Sequence, residues 1–518
     1  MASREFADMV QSQLVNDIRA IANPRWTRRQ IWDRGYRESR TPTSPSMLLE
    51  LLSHQNFADM KYGLDPDFRF TASRAIYKGM LKYLSNRYGC PYAVQPLPVG
   101  GMALTFGHVA DGKIEVEISW RETIDKIEPT AKAEGFILYT RKDLGAFDNG
   151  CIIKEITRHG DRYSTVTEIE AGHIYSWKIE AYNKGGKSFP SEILSAGVPV
   201  SSTDEGIANA IKDNILIVNN FNRVGPPAVI DSPAYAGFDQ GTDSGVGYIR
   251  EISYIGDMYQ FNRQSEYISN DNPGFGASFS FHAGYEVAGN SFDYPSIHGK
   301  AILKNGKAFR SCSSEAFSDS KIREESKFAD IICGKQVTTD LGDGKQKYSI
   351  FPDSFQEALT SFTEQGGNII ISGAYLGTDI WSSIYPLEKD KEVQSRSMTF
   401  ARKVLGIKWM GGHSSRIGKI RAASDELLPK GTSMEFQTEL NPVRYCVESV
   451  DGIGPASSKG TVLFRYSDSG ISAATGFQGK NYKVAAFGFP IETLKEENDI
   501  NMLLGAALDY LSRTEEKK

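Results

Sequence analysis

The chain has 518 residues, 40% hydrophobic and 24% charged, with a formal net charge of −5. That length suggests about three domains of ordinary size, and the acidic balance argues against nucleic acid as the main partner. No apolar run of about 18 residues occurs, which excludes a helical membrane span, and the opening MASREFADMV is amphipathic and acidic, unlike a signal peptide.

Ser3 caps a predicted helix whose Phe6, Met9, Val10 and Leu14 fall at helical spacing. Asn23-Pro24 ends it. Residues 25–40 are rich in arginine and read either as a solvated connection or as an anion-binding loop. The stretch PSMLLELLSHQNFAD (45–59) follows, an apolar run carrying one carboxylate, Glu50. Burying that charge is costly unless it is paired. Glu50 therefore reads either as an edge-strand residue with its head in water, or as an acid or base aimed into a cleft from the end of a buried strand. A second helix is expected over Phe68–Leu84, with Ala72, Ala75, Ile76, Met80, Leu81 and Leu84 as its apolar stripe. Gly89, Pro91 and Pro96-Leu97-Pro98 mark a boundary.

These residues carry a resemblance. Ser3-Arg4-Glu5-Phe6-Ala7 opening a helix, the strand Pro45–Glu50, the turn Ser53-His54-Gln55-Asn56 and the closing helix Arg74–Leu84 resemble, over residues 1–88, the C-terminal part of the zinc-dependent N-acetylmuramoyl-L-alanine amidases. The resemblance implies an α/β amidase remnant over 1–91. Glu50 would be the catalytic glutamate that activates a metal-bound water, and Arg34 or Arg40 would meet substrate carboxylates. It also implies zinc, held by two His and one Glu that lie before the "SRELA" helix in that family, so the ligands are expected to be absent from this chain. His54, the one His among the first hundred residues, reads as solvated or capping. The implied activity is peptidoglycan hydrolysis at the amide between N-acetylmuramic acid and L-alanine, here without the zinc-binding segment. The implied partner is peptidoglycan or another cell-envelope glycan, and the implied location is extracytoplasmic.

Over 99–200 the period changes to two. Ile114, Val116, Ile118 and Trp120 alternate with polar residues, as do Tyr175, Trp177, Ile179 and Ala181. Further strands are expected near 135–142, 151–157, 163–169 and 188–196, which together predict a β-sandwich. Trp120 on an early strand, Tyr175 at the tyrosine corner and the ending Ala181-Tyr182-Asn183-Lys184-Gly185-Gly186-Lys187-Ser188 resemble a fibronectin type III domain.

From 205 to 515 apolar strands alternate with helices: Asn214–Asn220, Phe328–Cys333, the helix Phe355–Thr363, Ile369–Ile371, Val484–Phe489 and the helix Asn501–Leu511. This predicts an open α/β sheet. Gly373-Ala374-Tyr375-Leu376-Gly377 has the small-residue flanks of a nucleophile elbow. Residues 329–377 resemble class I glutamine-amidotransferase-like, flavodoxin-like domains, with Tyr375 in the nucleophile's place. A phenol of pKa near 10 is a poor acyl acceptor, so that chemistry is expected to be lost. Asp293 and His298, beside Asn290, Phe292 and Tyr294, read either as a hydrogen-bonded loop or as a sugar or peptide cleft that Asp257, Asn262 and Asp271 would join. Cys312 reads as a thiol activated by helix amides or as a buried structural cysteine. The five cysteines form no CxxC pair and read mainly as buried free thiols.

Two rival readings stand beside the amidase. In one, the chain is a non-catalytic cell-wall or glycan-binding protein. In the other it is polysaccharide-active, like chains of this layout labelled xanthan lyase, although the sequence offers no supporting Tyr, His and Arg constellation.

Overall fold

The computed structural model describes residues 2–252, 259–269, 274–340, 346–381 and 391–513. Helix α1 (Ala2–Ile21) packs against α2 (Pro66–Tyr88), with Leu14, Ile18 and Ala22 meeting Phe68, Ala72 and Ala75. Asp65 starts α2 by accepting from the Asp67 amide, and Gly89 ends it at φ +67°. The inner face of α2 is set by α1. Met80 and Leu84, expected in the apolar stripe, are exposed, while Lys78, Gly79 and Tyr83 are buried.

Residues 45–52 do not form the expected strand. They are extended but pair with no ladder among the described residues, and Glu50 is exposed. A strand exists through its inter-strand hydrogen bonds, and this segment has none. Leu49, Leu51 and Leu52 lie against the α1–α2 core instead.

Next come β1 (Gly100–Ala110), β2 (Lys113–Arg121), β3 (Gly135–Lys142), β4 (Cys151–Ile152), β5 (Thr157–His159), β6 (Arg162–Glu170), β7 (Ile174–Asn183), β8 (Gly186–Lys187) and β9 (Leu194–Gly197). They pair antiparallel as β1-β2-β6-β5 and β4-β3-β7-β9. The inward residues Ile114, Val116, Ile118 and Trp120 of β2 meet Trp177, Ile179 and Ala181 of β7 in one core. This is the sandwich predicted from the period-two alternation, with the fibronectin type III arrangement of strands. Tyr175 stacks on Trp177 at 6.2 Å.

Helix α3 (Asp204–Lys212) leads into β10 (Ile215–Asn219), followed by α4 (Tyr294–Lys304), β11 (Phe309–Ser313), β12 (Phe328–Gly334), α5 (Asp353–Glu364) and β13 (Asn368–Gly373). Then come β14 (Lys419–Ala422), β15 (Ser433–Glu435), β16 (Gly460–Tyr466), β17 (Ser472–Gln478), β18 (Lys483–Phe487) and α6 (Glu497–Ser512). Strands β11-β10-β12-β13-β18 are parallel neighbours, and β17-β16-β14-β15 extend the sheet antiparallel. Counted along the chain, the parallel order is 2-1-3-4-5, which reverses direction at β10 and leaves a crevice outside the carboxyl ends of β10 and β12. The apolar runs of β10 and β13 are buried from end to end and that of β12 is buried after Phe328, as strands covered on both faces must be.

Two features were not legible in the sequence. The connection from β10 to α4, residues 220–293, is a large insertion whose described residues form small antiparallel strands of their own, and its Thr242 and Asp243 meet residues at the strand ends. The sandwich also joins the sheet: Ala103 of β1 pairs with Cys312 of β11, and Gly197 of β9 pairs with Phe309.

Candidate binding site

The crevice at the strand ends is filled by the protein itself. Arg223 follows β10 and Lys335 follows β12, and both are buried. They converge on Asp243 of the insertion: Arg223 Nη2 lies 2.6 Å from Oδ2 and Lys335 Nζ 3.1 Å from Oδ1. Lys335 also meets both oxygens of Glu448 at 2.8 and 2.9 Å. Burial opposes a charged Asp243, but the two cations outweigh it and hold the carboxyl below its ordinary range.

Gly373–Gly377 does turn from β13 into a short helix, Thr378–Trp381. Tyr375 is buried, its hydroxyl donates to the Thr242 carbonyl at 3.3 Å, and its φ is not positive, so the strained tip of a nucleophile elbow is not formed. The helix N-terminus is taken by Asp451, which accepts from the Gly377 and Thr378 amides at 2.7 and 2.6 Å.

A second feature lies where α2, the sandwich and the insertion meet. Phe70 of α2, Phe189 of the sandwich, Tyr248 of the insertion and Phe292 form a row with successive ring centroids 5.8, 5.8 and 5.6 Å apart. Phe70, Phe189 and Tyr248 are 37%, 52% and 37% exposed. Burial first, then the Glu180 carboxylate, push the Tyr248 phenol up, so it stays a neutral donor and acceptor. Ion pairs rim the row: Arg69–Glu251 at 2.6 Å, Arg141–Asp293 at 2.6 and 2.7 Å, and Lys187–Glu180 at 2.9 Å.

The backbone under the row is strained. Ile249 and Phe292 both sit at φ +58°, which is unfavourable for bulky side chains. Buried Asn290 pins them: its Nδ2 donates to the carbonyls of Phe221 and Arg223, its Oδ1 accepts from the Phe292 amide at 2.8 Å, and its carbonyl accepts from the Ile249 amide at 2.9 Å. Strain of this kind persists where surrounding contacts over-determine it, often at binding sites.

The residues singled out in the sequence scatter. Asp293 lies at the rim of the row, but His298 is fully buried one turn into α4, against Asp330 and Glu492. Cys312 is buried within β11, and burial pushes its thiol up to about 12, so it is not an activated nucleophile. Cys333 and Cys446 are also buried, whereas Cys90 and Cys151 are exposed. Arg34 and Arg40 are exposed, with the Arg34 guanidinium 4.2 Å above the Trp32 ring, and no described hydrogen bond or ion pair joins either to Glu50. Asn262 lies on an insertion strand, while Asp257 and Asp271 fall outside the described residues.

Among the described residues no group of three or more His, Cys, Asp or Glu could hold a metal ion, and Glu50 and His54 are both exposed. No described helix is long and apolar enough to cross a membrane.

The sequence contained a signal for the crevice that the reading missed. The runs ILIVNNFNR and FADIICGK each end in a basic residue just past an apolar strand. Phe70, Phe189 and Tyr248 carry no local signal, because three separate units bring them together.

No protein-family model matches the chain, and no curated protein matches it. Among solved structures, the fourth FNIII domain of a human protein is 18% identical, covers 22% of this chain and 86% of its own, and gives a TM-score of 0.16. The fibronectin type III domain of human fibronectin type III domain containing protein 3 is 19% identical over 22% of this chain and 96% of its own, with a TM-score of 0.16. The Br derivative of BhCBM56, a carbohydrate-binding module, is 12% identical over 18% of this chain and 89% of its own, with a TM-score of 0.13. The assignment of the sandwich rests on its strand pairing and core, not on these scores.

Proposed function

We propose that this chain binds a glycan of the cell envelope, peptidoglycan included, through the row Phe70–Phe189–Tyr248–Phe292. The observation that carries the reading is the row itself. A contiguous exposed apolar patch, unlike single exposed rings, marks an interaction site, and these rings are contiguous. Their flat apolar faces suit the C–H faces of sugar rings, and the ion pairs and phenol at the rim suit hydroxyl, amide and carboxylate groups. The strained, pinned backbone holds the rings in place before binding, which lowers the entropy lost on association. On this reading the protein works outside the cytoplasm, where such glycans are. The 2-1-3-4-5 strand order supports a flavodoxin-like character for the third unit, which on this reading serves as scaffold.

Co-sedimentation with purified peptidoglycan and with soluble polysaccharides tests this. Phe189→Ala and Tyr248→Ala should each weaken binding about tenfold, roughly 1.5 kcal/mol, at a temperature where both variants are still folded. Glu50→Gln should bind like the wild type. Unchanged binding in both ring variants removes the row from the proposal. Release of free muramoyl ends that Glu50→Gln abolishes would instead favour the amidase reading.

A further inference from the structure

The ends of three parallel strands point at one loop tip. Arg223 after β10 and Lys335 after β12 bind the two oxygens of Asp243, and Tyr375 after β13 donates to the carbonyl of Thr242. Asp243 is fully buried, Arg223 and Lys335 are nearly so, and Asp243 Oδ1 also accepts from the Gly245 amide at 3.0 Å. The second carboxylate at Lys335, Glu448, accepts from the Ser244 amide. In an open sheet of this order, the crevice outside the carboxyl ends of the strands at the reversal is where ligands bind. Here two cations line it, and a side chain from an insertion that belongs to neither strand fills it. Removing Asp243 would leave two cations facing one carboxylate, with a gap one carboxylate in size.

We propose that this crevice is an anion site for a small carboxylate, occupied by Asp243 as a built-in ligand that the insertion delivers. The fork of Arg223 and the point charge of Lys335 take one oxygen each, the geometry of a carboxylate held between two donors. An acid group borne by a sugar or a peptide has the same chemistry and would fit the place once Asp243 is withdrawn. The ion pairs carry this inference independently of the aromatic row.

Chemical rescue of Asp243→Ala in the full chain is the test. The variant should melt below the wild type, and sodium acetate should restore at least half of the lost melting temperature, saturably. Sodium chloride at equal ionic strength should not, and neither should sodium phosphate. Asp243→Asn, which keeps the gap filled, and the wild type should respond to acetate no more than to chloride. If Asp243→Ala does not fold alone, refolding from urea into acetate should recover folded protein where chloride does not. An acetate effect equal in all three proteins overturns the proposal. So does rescue by phosphate alone, or no rescue in either format.

Discussion

His298 lies on α4 with both ring nitrogens facing carboxylates, Nδ1 2.7 Å from Asp330 and Nε2 3.4 Å from Glu492, whose other oxygen accepts from the Tyr445 hydroxyl at 2.6 Å. Burial opposes the imidazolium, but the Asp330 charge and hydrogen bond and then Glu492 outweigh it and push the pKa up to about 10. A folded-state pKa above the unfolded value of about 6.5 stabilises fully below that value and is lost as pH rises toward 10. Urea unfolding of the wild type should therefore lose a few kcal/mol between pH 6.5 and 10 that His298→Gln does not lose. At pH 6.5 the variant should be less stable by about 3–5 kcal/mol, because two buried carboxylates lose their cation. Parallel pH profiles for the two proteins would mean that His298 is neutral in the fold. The sequence shows Asp293 and His298 five positions apart and suggests one cleft. It cannot show that α4 starts between them, turning one outward and one inward, nor that the partners of His298 lie 32 and 194 positions away. Residue type was legible, but partnership over such separations was not.

Among the elements, α1 and α2 were read from their apolar spacing, and their contact sets a test. A Cβ added at Gly79 would lie 2.7 Å from the Val10 Cα, so the helices touch backbone to backbone there. Beside it, buried Lys78 meets Asp17 of α1 at 2.9 Å and Glu128 of the sandwich at 3.5 Å. In an open helix Gly→Ala gains about 1 kcal/mol. Here it forces the pair apart, and Gly79→Ala should cost roughly 1–3 kcal/mol in urea unfolding. Equal or greater stability would show that the helices separate freely. Met80 and Leu84 carry the same apolar spacing but are exposed and face away from α1. Periodicity finds a face, and the packing partner decides how wide it is. Strands followed a similar rule. Alternation located β2 and β7, and buried runs located β10, β12 and β13, because each has neighbours to pair with. Residues 45–52 have the composition of a strand without a ladder. The described residues of the insertion over 220–293 are mostly in short strands and turns, with too little periodicity to announce themselves.

For the molecule as a whole, the join between sandwich and sheet decides how it unfolds. Domains within a chain move independently unless their interface is large and apolar, and a sequence that reads as beads suggests such motion. The contacts argue otherwise. Ser311 of β11 accepts from the Ser195 amide at 2.7 Å and donates to the Ser195 carbonyl at 2.8 Å. Arg310, fully buried on β11, donates to the Leu104 carbonyl of β1 at 3.0 Å. Ile207 of α3 and Ala308, just before β11, belong to the sandwich core. Opening the sandwich would take the Leu104 carbonyl from the buried Arg310 guanidinium, which keeps its hydrogen bonds to Ile322 and Ser326, and would uncover that core, a penalty the sheet would share. The two units should therefore unfold as one cooperative body. Hydrogen exchange measures this directly: amides of β7 and of β12 should open with the same free energy, and that energy should match global unfolding. If β7 exchanges through a separate opening of lower energy, the sandwich is a tethered module, and the aromatic row that spans it and α2 would form only part of the time.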